Sequence, residues 1–429
     1  MLLRFTLSNF ASVRDMQELS TIAQDEHDDL AIRRVPRTDL HSLPVVGLFG
    51  PNASGKSNIV QALDFVSAAV AFSHQRWLPE SGIPRRPFLL AADPEASPSH
   101  FNIEFVADDG VRYEYGFECD SRRFLKEWLF SYPEGRSRRI FERELDQPIL
   151  FGPTLRGPKT QVERVVRPNS LFLSAAAANN YGALEPVSKW FRTGIRIALD
   201  ENFDARLLET RHRFERPNSK AILNLLRYAD LGVTGVKFSE VKLSPEHAAK
   251  IAEMLRLIDE EAHDVNPSQI SGGLEVELAH KVGDREFNLP LEYESNGTKT
   301  WLAIVGPIVT TLQNGSTLVI DELDARLHPH VAAQFVRLFQ DPRTNPKGAQ
   351  LIFNTHDAGL IGPELPFRLR RDQIWITEKL DGATRIFPLS DYKVRSVENI
   401  EKRYLGGRYG GLPFFDEELL SAVIQEVSS

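Results

Sequence analysis

The apolar run Leu43–Phe49 (LPVVGLF) leads directly into Gly50-Pro51-Asn52-Ala53-Ser54-Gly55-Lys56-Ser57, and no other junction constrains the fold so strongly. The run is short and unbroken, which predicts a strand buried on both faces. Beyond the loop, SNIVQALDFVSAAVAF spaces Ile59, Leu63, Val66 and Val70 along one face of a helix. A strand, a glycine loop and a helix in that order aim backbone N–H groups from a helix N-terminus at one point, where they converge on phosphate. Gly50 and Gly55 permit the close backbone approach. Lys56 supplies charge for the outer phosphates, and Ser57 a hydroxyl for Mg²⁺. With Asn58, these residues form the candidate ATP-binding set.

Phosphate chemistry also needs an acid to manage the cation and the attacking water. Thr317-Leu318-Val319-Ile320 reads as a buried strand ending in Asp321-Glu322. Asp321 can hold Mg²⁺ through its water shell, and Glu322 can polarise a water. Acids that merely cap a strand look the same; pairing with the glycine loop is what favours chemistry. AQLIFNTHD reads as a second buried strand, with His356 at its end in place to hydrogen-bond a γ-phosphate. Seen alone, such a histidine is more often structural. The catalytic candidates are therefore Glu322 and His356, and the metal candidates Ser57 and Asp321. Upstream, Ser295, Asn296, Gly297 and Thr298 open an apolar stretch that should pack as a helix. Small residues at a helix start suit an anion, and equally a plain capping turn.

The chain has 429 residues, which suggests two or three domains or one large α/β domain with insertions. Net charge is −8, with 51 basic and 59 acidic residues, so no global field draws it to nucleic acid. A single cysteine, Cys119, excludes an intrachain disulfide and a cysteine zinc site, and is expected to be an ordinary strand residue. WLAIVGPIVTTL is interrupted by Gly306 and Pro307 and falls short of the roughly twenty residues that span a bilayer. These features predict a soluble, cytoplasmic protein with no membrane partner. The opening MLLRFTLSNF alternates as a strand with Leu3, Phe5 and Leu7 on one face. Residues 76–100 are expected to be irregular, and 101–135 an antiparallel meander turning at Asp109-Gly110 and Asp120-Ser121. Segment 181–260 reads as mostly helical, with KAILNLLRY and HAAKIAEMLRLIDEEA its clearest pieces and no sustained heptads. Buried strands alternating with helices after residue 290 point to a parallel sheet. The expected division is 1–180, a first ATPase lobe; 181–285, a mostly helical insertion; and 286–429, a second lobe.

The order of P-loop, Ser-x-Gly-Thr helix start, Asp-Glu strand and His strand resembles the ATP-binding cassette superfamily, in its branch with RecF and structural-maintenance-of-chromosomes (SMC) heads. LSNFASV, GPNASGKSN, EWLFSYPEGR, SLFLSAAAANN, IDELDARLHP, FNTHD, DQIWITEK and ENIEKRYLGGRYGGLP look like bacterial AAA-type ATPases related to the OLD (overcoming lysogenization defect) group. That group includes subunits of abortive-infection and other phage-defence systems such as PARIS. The resemblance runs from the first strand to about residue 413, and IDELDxxLHP and the RYG tail are its discriminating parts. It implies an α/β fold: a cassette-type head with a mixed parallel and antiparallel core sheet, an antiparallel β lobe and a helical insertion. It implies an ATPase using ATP and Mg²⁺, in which Ser295, Asn296, Gly297 and Thr298 of one subunit cap ATP on the P-loop of another. It further places Arg4, Asn9 and Ser12 near adenine or ribose, and Ser174 or Asn179 where a Q-loop glutamine would be. Ala325-Arg326-Leu327-His328 departs from the cassette pattern by ending in His rather than Asp.

Three functions follow. The first is a head that pairs as a homodimer or higher oligomer and controls a separate effector, such as a Toprim-type nuclease, in anti-phage defence. The second is a nuclease in its own right, which the stretch after His356 is too short to house, since a fused domain needs roughly a hundred residues. The third is a RecF-like DNA-binding repair ATPase. Its basic clusters SRRFLK, GRSRRIFER and RLRRD are scattered through an acidic chain, so nucleic acid is a possible partner but not a required one.

Overall fold

A computed structural model of the chain describes residues 1–24, 30–215, 219–229, 231–240, 250, 273–325, 327–363, 365, 367–392 and 399–412. Two compact units are present: Met1–Leu199 with Thr311–Ser429, and Asp200–Thr310.

The first unit opens with β1 (Leu2–Ser8), β2 (Gln17–Ser20) and the short pair β3 (Arg33–Arg34) and β4 (His41–Ser42), and reaches β5 (Val45–Phe49) and α1 (Lys56–Phe72). A meander follows: β6 (Ser99–Val106), β7 (Arg112–Cys119), β8 (Phe124–Tyr132), β9 (Arg138–Glu144) and β10 (Leu150–Phe151). Helices α2 (Lys159–Val165), α3 (Phe172–Ala178) and α4 (Glu185–Lys189) lead to β11 (Ile195–Ala198). The second unit carries α5 (Phe203–Phe214), α6 (Ser219–Tyr228), β12 (Val233–Glu240), β13 (Leu274–Val282), β14 (Arg285–Pro290) and most of α7 (Asn296–Asn314). The chain then returns to the first unit with β15 (Thr317–Ile320), α8 (Pro329–Gln340), β16 (Gln350–Thr355), β17 (Ile374–Leu380), β18 (Ala383–Pro388) and α9 (Ile400–Leu405).

The core sheet runs β11-β15-β16-β5-β17-β18, parallel throughout except for the β17–β18 hairpin. β5 lies near its centre, so all five of its residues are buried, as its apolar composition requires. The strand starts at Val45 rather than Leu43, because Pro44 has no N–H to give the ladder; its carbonyl accepts from Leu351 N instead. The second sheet, β10-β9-β8-β7-β6-β1-β2, is antiparallel. One apolar cluster joins both sheets through α1, whose Ile59, Leu63, Val66 and Val70 are all buried in it. Phe65 of α1 meets Phe101 of β6 at 5.2 Å between ring centroids. The helix carrying the glycine loop is thus clamped between two sheets. The expected α/β class, with its mixed core sheet and antiparallel lobe, is the observed one.

Some details differ from expectation. Leu2, Phe5 and Leu7 share the main core, whereas Leu3 joins a smaller cluster with Met1, Val35 and Val106. The register slips between Leu2 and Arg4 where β1 pairs β6, and an irregularity of this kind moves a side chain to the other face. The segment read as mostly helical also contains strands, β11 and β12. β11 is short, and β12 is only half-buried, so neither shows a clean alternation of apolar and polar residues. KAILNLLRY lies within α6 as expected. All of HAAKIAEMLRLIDEEA except Lys250 lies outside the described residues. Cys119 is buried in β7, and burial pushes its thiol pKa up.

In the second unit, β12, β13 and β14 form an antiparallel sheet. α7 keeps helical form across Gly306-Pro307 because Thr210 replaces the bond that proline cannot make. Its hydroxyl donates to Ala303 O at 3.2 Å, the carbonyl left free by Pro307, and accepts from Gly306 N at 3.0 Å. No helix among the described residues is long and apolar enough to cross a membrane.

Candidate nucleotide site

The glycine loop leaves the C-terminal end of β5 and enters α1 at Lys56. Gly55 takes a φ of 100°, which favours glycine, and Ala53 a φ of 62°. Space restricts both glycines as firmly as backbone angle does. A Cβ on Gly50 would lie 2.5 Å from Thr377 O, and one on Gly55 2.0 Å from Thr384 Oγ1. β17 and β18 therefore press directly on the loop, and their threonines brace it. Thr377 Oγ1 donates to Phe49 O at 3.0 Å and shares a 3.0 Å hydrogen bond with Ser54 Oγ. Thr384 Oγ1 donates to Ser54 O at 2.7 Å and shares a 2.6 Å bond with Ser12 Oγ. Asn58 Nδ2 donates to Ser12 Oγ at 2.6 Å. The hairpin also supports the RYG tail, since Tyr404 and Tyr409 are buried and a Cβ on Gly411 would lie 2.7 Å from Ile376 Cγ2.

Lys56 is buried, and its Nζ donates to Gly50 O at 2.8 Å and Pro51 O at 2.9 Å. Burial lowers its pKa, while Asp324, Glu322 and Asp321 pull the other way. All three acids of the IDELD run thus act on the loop lysine.

The Asp-Glu pair is held by a residue to which sequence reasoning gave no role. Asn354, fully buried on β16, donates through Nδ2 to Asp321 Oδ1 and accepts from Glu322 N through its side-chain oxygen. Its backbone carbonyl accepts from Leu323 N at 3.0 Å. These bonds hold Glu322 at a φ of 55°, a conformation that costs a non-glycine residue energy and that turns its side chain outward, exposed. At the end of the same strand, His356 Nδ1 lies 3.0 Å from Asp324 Oδ2.

A cavity of about 560 Å³ gathers these parts; Asn52, Lys56, Ser57, Glu322, His356 and Lys379 line it. Ala53, Gly55 and Asn58 of the expected set also border it, while Ser54 is buried in the bracing network. Asp321 stands behind, held by Asn354. The Ser57 hydroxyl and the carboxylates of Asp321, Glu322 and Asp324 near Lys56 are hard oxygen donors, a donor set that fits Mg²⁺.

Other expected site residues lie elsewhere. Ser295, Asn296, Gly297 and Thr298 belong to the second unit, at the start of α7. Ser295 Oγ accepts from Thr298 N at 3.0 Å, capping the helix, and Ser295 and Asn296 are exposed. Ser174 lines a different cavity, and its hydroxyl accepts from His74 N at 3.1 Å. Asn179 Nδ2 donates to Ala175 O of its own helix. Neither borders the P-loop cavity, because the α3 segment packs against the far end of α1. Of the adenine candidates, Ser12 touches the loop network, Asn9 holds the segment before β6 through Ser97 O and Phe88 N, and Arg4 pairs with Glu18 and Glu104.

A parallel sheet with a glycine loop on a central strand, a histidine on the next and an Asp-Glu pair on the one beyond is the arrangement of an AAA-type P-loop ATPase domain. Residues 45–362 match the family described as "AAA domain, putative AbiEii toxin, Type IV TA system", and the chain belongs to that family. A search of curated proteins finds no match. Among solved structures, the chain is similar to an Smc head bound to the C-winged helix domain of ScpA, at 15% identity over 94% of this chain and 99% of that one, with a TM-score of 0.42. It is also similar to an Smc head from Pyrococcus furiosus with an extended coiled coil, bound to the C-terminal domain of ScpA (14% identity, 95% and 98% covered, TM-score 0.37). A third is the recombination mediator RecF with ATP (12% identity, 90% and 99% covered, TM-score 0.38).

Proposed function

We propose that this chain binds and hydrolyses ATP, pairs with further copies of itself to complete each site, and through that cycle controls a separate effector in anti-phage defence. The supporting observation is that Glu322 and His356, far from the P-loop in sequence, line the same cavity as Lys56 and Ser57. In this reading the loop's backbone N–H groups and Lys56 grip the triphosphate. Glu322, projected by its strained backbone, takes the proton of the attacking water. His356, oriented by Asp324 through Nδ1, offers Nε2 to the γ-phosphate. Ser57 and Asp321 would hold Mg²⁺, which offsets phosphate charge. The exposed Ser295 and Asn296 at the start of α7 are available to cap ATP on a second copy. The effector rests on the OLD-like resemblance and on a family description that names a toxin and a toxin–antitoxin system.

The basic clusters do not favour a DNA groove. Arg123 pairs with Asp120, Lys126 with Glu118, Arg138 with Glu134 and Arg139 with Glu142, so much of their charge is met locally.

Glu322→Gln tests the catalytic assignment. The variant should bind ATP as the wild type does, hydrolyse it at least about 100-fold more slowly, and accumulate an ATP-dependent oligomer in light scattering. Hydrolysis at the wild-type rate would remove Glu322 from the role.

A further inference from the structure

Lys379 belongs to neither the P-loop nor the acidic strand, yet it lines the P-loop cavity. It sits near the tip of the β17–β18 hairpin, directly across from Thr384, the residue that braces Ser54. Among the described residues its side-chain ammonium has no hydrogen-bond or ion-pair partner, unlike that of Lys56, which is bonded to the loop's own carbonyls. Lys56 and Lys379 are the two lysines facing the cavity, against a wall that carries Glu322 and has Asp321 and Asp324 close behind. A triphosphate brings about four negative charges at neutral pH, and about two remain once a divalent cation is bound, still more than one buried lysine balances.

Lys379 also lines a second cavity of about 430 Å³, and Asn58 is the other side chain common to both. This neighbour has a different character. Ser12, Phe88, Leu89 and Leu90 form its wall, with Arg86 beside them. Leu89 and Leu90 are 72% and 71% exposed, unusual for leucines unless something covers them. Leu90 lies against the hairpin turn, since a Cβ on Gly382 would come within 2.8 Å of its Cδ1. A polar, phosphate-accepting chamber thus adjoins an apolar one, and Lys379 stands where they meet.

We propose that Lys379 is a second phosphate-binding cation, gripping the α-phosphate where the triphosphate passes into a nucleoside chamber whose lid is Leu89 and Leu90. This assignment rests on the ATP reading above and adds to it a positioning cation and an apolar wall for the base.

The test measures binding of Mg-ATP and of inorganic tripolyphosphate to the full chain by calorimetry. Lys379→Ala should weaken both about 10- to 100-fold, the scale of a lost charge-assisted bond. Lys379→Arg should restore affinity to within about threefold, since the charge is kept. A Leu89→Ser, Leu90→Ser double variant should weaken ATP about 10-fold and leave tripolyphosphate unchanged, because only the nucleoside reaches that wall. Both sites are exposed, and unchanged thermal melting confirms intact folding. Wild-type ATP affinity in Lys379→Ala, with Lys56→Ala unable to bind, would overturn the role of Lys379 while leaving the ATP reading in place. Equal losses of both probes in the double leucine variant would overturn the nucleoside chamber. A wild-type chain that binds neither probe would overturn the ATP reading itself.

Discussion

At the scale of single residues, the site depends on one amide. Asn354 satisfies Asp321 with its NH₂ and Glu322 N with its oxygen, and a hydroxyl of similar size, with donor and acceptor on one atom, could not span both. Asn354→Ala would leave the half-buried Asp321 carboxylate and the Glu322 backbone N–H without this partner, at a cost of about 1–3 kcal/mol. Glu322 would then be free to leave its left-handed backbone conformation. The variant should melt at a lower temperature, still bind ATP, and lose at least about 10-fold in turnover. Undiminished turnover would show that Asn354 matters to folding alone. This residue was visible in the sequence only as the letter before Thr355-His356. Its partners are 33 and 32 positions away, and only the parallel pairing of β15 with β16 brings them together.

At the scale of elements, Glu127 ties the antiparallel lobe to the helical layer. Its carboxylate is buried on β8, accepts from Phe172 N at 2.6 Å and Leu173 N at 3.0 Å at the start of α3, and accepts from Tyr115 OH at 2.9 Å. Burial nevertheless raises its pKa above the usual carboxylate value, outweighing Arg143 and the backbone donors. The sign follows from linkage. A folded state that holds this proton more tightly than the unfolded chain is stabilised below the unfolded pKa of about 4.5, and loses that stability as pH rises through the raised folded value. Glu127→Gln should therefore flatten the fall in stability above pH 4.5, measured by denaturant midpoints across pH. An unaltered pH slope would mean that the carboxylate titrates as it does in the unfolded chain. Nothing in KEWLFSY distinguishes this buried glutamate from the exposed Lys126 beside it, because alternation assigns it a face of the strand and cannot show what packs there.

At the scale of the whole molecule, the P-loop belongs to one compact unit and Ser295 to the other, and the proposed pairing of copies makes a demand that mixing can test. Ser295→Arg and Lys56→Ala should each be inactive alone, the first with ATP binding intact. Mixing them should restore ATP hydrolysis, since a mixed pair keeps one site with an intact loop from one chain and an intact Ser295 from the other. No recovery on mixing would argue that each chain encloses its own nucleotide. By itself the sequence determined the strand-loop-helix of residues 45–72, the buried strands that lead into Asp321 and His356, and the meander with its turns. Each is a local pattern, in which side-chain periodicity or a backbone requirement is set within a few residues. Tertiary structure alone decided that Thr377 and Thr384 brace the loop, that Asn354 sets Glu322, that Leu3 leaves its expected face, and that Lys379 reaches the cavity. Those choices depend on which strands lie side by side and in what register, and pairing across hundreds of residues leaves no periodic trace in either partner.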